Sequence, residues 1–219
     1  MLARLRMPAL LWAGVIAPVL FTIVYLLEGA SRAGYDPMRY QVSLLSLGPG
    51  GWVQVLAFLV TGVLLLVFAV ALRARLGGGP GGSAGPLSIA IAASGFIVAG
   101  LFTTQPLFGY PPGTPEGMST DITAASLLHV LGAAMLFFGL VTGALVLARR
   151  SWHAGDRAWA VGSVAAAIVV LVCFGASGGG PSGQLLFPET SGLLQRISLL
   201  AGLGWLAAVA LRTLRSRPS

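Results

Sequence analysis

Eight residues of this chain have side chains able to do chemistry in a setting that is otherwise apolar: His129, Asp121, Arg196, Gln195, Glu28, Glu189, Gln54 and Gln105. His129 stands about two turns inside a run of leucine, alanine and phenylalanine, and Arg196 opens another such run in "SGLLQRISLLAGLGWL". A carboxyl group in an apolar cavity can stay protonated near neutral pH and donate that proton. An imidazole beside it serves as partner or base. A guanidinium orients an anionic head. In that scheme Asp121 or Glu189 is the acid, His129 its partner, and Arg196 the anion holder. The competing reading is structural, with a neutral imidazole hydrogen-bonding a neighbouring helix and Arg196 in an internal ion pair. Glu28, Asp121, Glu189 or a lipid phosphate would supply the negative partner.

A helix advances 100° per residue, so the direction of His129 follows from its neighbours. Asp121, Ala125, Gly132, Gly139 and Gly143 fall within about 80° of it. Gly139 and Gly143 form a GxxxG pair, which lets another backbone approach closely. The stripe is expected to face protein, with the ring pointing into a helix bundle and Asp121 about 12 Å above it on the same face. Glu28 ends its helix where the dipole disfavours a carboxylate, so it too calls for a cation, Arg196 or Arg39. Gln54 and Gln195 each follow a glycine by three residues at the start of a span, in "GWVQ" and "GLLQ".

The elements that must position these groups are membrane spans. Of 219 residues 56% are hydrophobic and only 9% charged, too few to cover a water-soluble surface. Apolar runs long enough to cross a hydrocarbon core lie near 9–28, 52–73, 87–105, 122–148, 158–177 and 193–212. They lack the period-two alternation of a barrel, so the expected fold is all-α, a single polytopic six-helix transmembrane domain over residues 1–219. All 13 basic residues are arginine. If the spans alternate, Arg4, Arg6, Arg73, Arg75, Arg149, Arg150, Arg157, Arg212, Arg215 and Arg217 share one side, leaving Arg32, Arg39 and Arg196 on the other. The positive-inside rule then puts both termini in the cytoplasm and loops 29–51, 106–121 and 178–192 outside, in a multi-pass protein of the cell membrane. The net charge of +7 reads as a topology signal and an anionic-lipid contact, with no nucleic-acid partner. "RARLGGGPGGSAGP" reads as a flexible linker. Trp52, Trp152 and Trp159 sit at span ends as interface anchors.

Two histidines assigned to opposite sides do not supply the paired axial ligands of a membrane haem, and Cys173 stands alone, so no cofactor and no metal is expected. There is no P-loop, HExxH or GxSxG.

Four stretches in this order and spacing, "VSLLSLGPGGWVQVLAF" (42–58), "GLFTTQPLFGYPPGTPEG" (100–117), "LLHVLGAAMLFFGL" (127–140) and "GLLQRISLLAGLGWLAAVALR" (192–212), resemble a family of bacterial and archaeal membrane proteins catalogued as domain of unknown function 998. Ser43, Ser46, Gly51, Trp52, Gln54, Pro106, His129, Gln195 and Arg196 stand on positions of its pattern. The resemblance implies a six-helix fold and a polar cluster at the outer face, but no reaction. Where that pattern often carries an acidic residue before Pro106, this chain has Gln105, so a role for a carboxylate there is altered or lost.

The function expected is that of an uncharacterised, non-enzymatic integral membrane protein whose outer polar cluster contacts lipid, senses or scaffolds. Two alternatives stand beside it. One is a membrane-embedded acid–base enzyme acting on a lipid or isoprenoid. The other is a small proton-coupled transporter, which the apolar inner halves of the spans disfavour. The partners that fit are membrane lipids, a lipid or isoprenoid ligand, a second copy of the chain or another membrane protein.

Overall fold

The computed structural model describes residues 2–117, 122–178 and 185–216. Among them are six long α-helices and no strand: α1 (Leu2–Ser31), α2 (Gly51–Leu76), α3 (Ala84–Leu101), α4 (Ala124–His153), α5 (Arg157–Ser177) and α6 (Ser191–Arg215). All six are long and apolar enough to cross a membrane. Leucine, alanine and valine make such helices continuous, and their starts carry local signals. The Thr123 hydroxyl accepts from the amide of Ser126, and the Asp156 carboxylate accepts from that of Trp159. The Trp159 amide, followed by Arg212, holds the Asp156 carboxyl below its ordinary value.

Each helix packs against its neighbour in the chain and α6 returns to α1, so the six close into a ring. Phe21, Leu65, Phe68, Phe96, Leu140 and Leu206 fill its interior, while Ile16, Val19, Val161, Ile168 and Val172 face outward. The α3–α4 contact is as close as the glycine stripe implied: a Cβ at Gly132 or Gly139 would overlap the α3 backbone near Ala99 and Ala92. α5 is the least enclosed span, with 28% of its apolar window buried.

Antiparallel neighbours give the ring two ends. The arginine end carries Arg73, Arg75, Arg149, Arg150, Arg157, Arg212 and Arg215; the loop end carries the longer connections. Two details depart from expectation. α3 stops at Leu101 rather than running to 105, because the chain turns extended at Phe102 and two threonines lead into Pro106. The Gly/Pro linker is gripped rather than loose: Arg150 donates to the carbonyls of Leu76 and Pro80, at 3.2 and 2.9 Å.

Candidate functional site

The loop end is built from the first loop downward. Residues 32–50 fold back over the ring, and the 3-10 turn Val42–Ser46 is buried along its whole length. A buried loop exposes backbone carbonyls to a medium that cannot solvate them, so donors must come from side chains. Arg32 is the first. It donates to Glu28 Oε2 through Nε at 2.9 Å and Nη2 at 2.5 Å, one turn back on α1, and also to the carbonyls of Leu45, Leu47 and Pro49. Glu28 is therefore paired with Arg32, neither with Arg196 nor with Arg39. The i,i+4 spacing makes that pair local, and it neutralises the carboxylate at the unfavourable helix end.

Arg196 is the second donor, and its partners among the described residues are neutral groups, with neither Glu28 nor Glu189 paired to it. Its Nη1 donates to the carbonyls of Pro37 at 2.6 Å, Tyr40 at 2.9 Å and Gly192 at 3.0 Å, and its Nη2 to the hydroxyl of Tyr35 at 2.5 Å. The guanidinium lies 5.5 Å from the ring of Tyr35 and 5.9 Å from that of Tyr25, a cation–π cage. Among the described residues no carboxylate pairs with it. Carbonyl dipoles and ring faces stabilise the charge, and the flat fork satisfies several acceptors at once where an ammonium would act as a point charge. Tyr35, Tyr40 and Tyr110 pack around this point in tilted and edge-on pairs, with centroids 5.1 to 5.8 Å apart. Burial pushes the Tyr35 phenol up to about 12 and raises that of Tyr110.

Gln195, the residue before Arg196, accepts the amide of Val42 at 2.7 Å and so caps the start of the buried 3-10 turn. Gln41 reaches the Ser177 carbonyl at 2.7 Å and the Ser191 hydroxyl at 3.1 Å, tying the loop to α5 and α6. The shared glycines of "GWVQ" and "GLLQ" have a common role. A Cβ at Gly51 would overlap the Ser46 carbonyl and one at Gly192 the Tyr40 carbonyl, so each lets the loop backbone rest on the first turn of its helix. The glutamines differ. Gln54 is wholly buried, and neither of its amide atoms has a hydrogen-bond partner among the described residues.

His129 points inward, as its stripe implied, and is 6% exposed. Its Nδ1 lies 2.8 Å from the Phe102 carbonyl and 3.1 Å from that of Ala99, acceptors left over at the C-terminal end of α3. With the proton on Nδ1, Nε2 of the neutral ring is an acceptor. The ring borders a cavity of about 20 Å³ beneath the 3-10 turn, shared with Ser43, Gln195, Phe58, Ala99 and Leu199. That is room for about one water molecule.

His129 and Gln195 thus meet at one cavity, while Arg196 faces the tyrosines and Glu28 faces Arg32. Glu189 is exposed in the short turn Pro188–Thr190, and Gln105 is half-buried just beyond α3. Asp121 lies outside the described residues. Helical positions on α4 hold only from Ala124, its first residue. Sequence reasoning passed over Arg32, Gln41 and the tyrosines. A signal was present, since all four tyrosines of the chain, Tyr25, Tyr35, Tyr40 and Tyr110, fall at the loop end.

Residues 15–212 match the model of a family described as "Protein of unknown function (DUF998)", and since this is most of the chain, the chain belongs to that family. No curated protein and no solved structure matches it.

Proposed function

We propose that this family member is a non-enzymatic integral membrane protein that scaffolds or contacts lipid, and that its loop-end polar residues are a clasp rather than a reaction centre. The observation that carries this is the guanidinium of Arg196, whose named contacts are backbone carbonyls and a tyrosine hydroxyl, leaving it no arrangement suited to orienting a substrate anion. Arg32, Gln195 and the Nδ1 side of His129 are committed in the same way, each to backbone of another segment. In the proposed topology the arginine end faces the cytoplasm, by the positive-inside rule, and the membrane is the cell membrane.

Arg196→Ala is the test. A clasp loses folded protein and thermal stability, and Arg196→Lys recovers only part of it, because one ammonium replaces a fork. A variant that stays folded and stable while losing turnover of a defined compound would overturn the reading.

A second reading has one observation in its favour: His129, whose hydrogen bonds among the described residues all use Nδ1, lines one cavity with Ser43 and Gln195. This is the constellation an acid–base enzyme acting on a lipid or isoprenoid would use. Its size opposes it, since about 20 Å³ admits no substrate unless the 3-10 turn moves. Labelling of Ser43 by a lipophilic serine-reactive phosphonate, dependent on His129, would replace the first reading with this one.

A further inference from the structure

The arginine end holds cations in two different states. Arg150 is committed to the carbonyls of Leu76 and Pro80, and Arg212 to the Asp156 carboxylate at 2.6 Å and to the Trp159 ring, 4.7 Å away. Arg149 and Arg157 are exposed, and among the described residues neither has a carboxylate partner. Arg149 hydrogen-bonds His153 on its own helix, at 3.4 Å, and the Arg157 guanidinium rests 5.5 Å from the ring of Trp152.

Arg149 lines an outward groove of about 450 Å³ between α4 and α5, and Arg157 adjoins it through the ring of Trp152, which also lines it. Ala148, Ala160 and Ala165 leave its floor open, Leu145, Val161 and Ile168 wall it, and Arg149 and Trp152 close it at the arginine end. The groove therefore has an apolar length along the membrane normal and a cationic, aromatic lip where lipid phosphates lie. A neighbouring groove supplies a control within the same molecule. Between α5 and α6 is a larger one, about 570 Å³, but its arginine is Arg212, already neutralised by Asp156. Volume alone would favour that second groove; unneutralised charge favours the first.

We propose that the α4–α5 groove is a binding site for an anionic phospholipid, with one acyl chain in the groove and the phosphodiester on Arg149 and Arg157. This rests on the lipid-contacting reading above and gives it a headgroup class and a place. Trp152 stands between the two arginines at headgroup level, the depth at which an amphipathic ring settles. An arginine near the membrane surface favours an anionic over a neutral headgroup by roughly fivefold. Two of them acting together predict on the order of twenty- to thirtyfold.

The experiment titrates the delipidated full-length chain in neutral detergent with phosphatidylglycerol and with phosphatidylcholine of the same acyl chains, reading bound lipid by native mass spectrometry. The expected result is a preference for phosphatidylglycerol of about that size. It should be lost in the Arg149→Gln/Arg157→Gln double variant and kept in the charge-matched Arg73→Gln/Arg215→Gln variant. Ala165→Phe, which fills the groove from an exposed position, should lower phosphatidylglycerol binding with every arginine in place. A variant with Trp152 as its only tryptophan should be quenched by phosphatidylglycerol brominated in its chains. Equal binding of the two lipids, equal loss in both double variants, or no effect of Ala165→Phe would overturn the site. So would full displacement by inorganic phosphate, which would mean an anion site without a chain. Failure here leaves the clasp reading intact, since that reading is tested by the stability of Arg196 variants, far from this groove.

Discussion

The two ends of the ring use the same residue type in opposite ways. At the loop end Arg32 and Arg196 are drawn inside, and between them they hold five backbone carbonyls of one folded loop. At the arginine end Arg149 and Arg157 point outward with no carboxylate partner among the described residues. The difference lies in what the backbone nearby needs. A long loop folded over the ring brings carbonyls that neither lipid nor helix can satisfy, and guanidinium forks are the efficient remedy. The connections at the arginine end are short, and Arg73 and Arg150 hold their carbonyls, leaving others such as Arg149 and Arg157 to the surrounding phosphates. The same cation is thus structural where irregular backbone is buried and available where it is not.

The strongest way to break this contrast is to remove the inner cation. Arg196→Ala is expected to cost about 3 kcal/mol or more, since hydrogen bonds to a charged group contribute about 1.5–3 kcal/mol each and their acceptors stay buried. Thermal unfolding in detergent should show it. The double change Arg149→Gln/Arg157→Gln should stay within about 0.5 kcal/mol in the same assay. Comparable losses for the two would erase the distinction between the ends.

His129→Phe should be the next largest, about 1–2 kcal/mol, from two carbonyls at the end of α3 losing their donor. His129→Asn, which can still donate, should recover part of that loss. Gln54→Leu sharpens the comparison from the other side. It removes a buried amide with no partner among the described residues, so it is expected to be neutral or stabilising by up to about 1 kcal/mol. Gln195→Leu should instead destabilise by a similar amount, by stranding the Val42 amide. Identical responses would mean that the two glutamines have equivalent surroundings.

The last effect is confined to alkaline pH. The Tyr35 phenol is raised to about 12 from an ordinary 10.0. The unfolded chain therefore loses this proton first, and as pH climbs from about 10 to about 12 the stability that the group contributes declines. Tyr35→Phe should flatten that part of the pH–stability curve. An unchanged slope would place the alkaline sensitivity elsewhere, with Tyr110 the next group to replace.

What could be read from the sequence follows the range of the physics involved. The inward direction of His129 was legible because its determinants, Gly132 and Gly139, lie on its own helix at fixed angles. The partners of Arg196 and Glu28 were not. The expectation assumed that a buried cation requires an anion, yet four neutral oxygens and two aromatic rings stand in its place. Glu28 and Arg32 meet the four-residue spacing of a local helix pair, so the carboxylate is neutralised along its own span and not across spans. Gln54 and Gln195 share a motif and differ in outcome, since only one of them faces the amide of the folded loop.

By itself the sequence determined the helices, their number and the face that α4 turns to its neighbours, because those follow from apolar length and a fixed rotation per residue. The tertiary structure alone decided which polar groups meet, where the first loop lies and which arginines stay uncommitted. Those contacts join residues as far apart as Pro37 and Arg196, and only the closing of α6 against α1 brings such residues within reach.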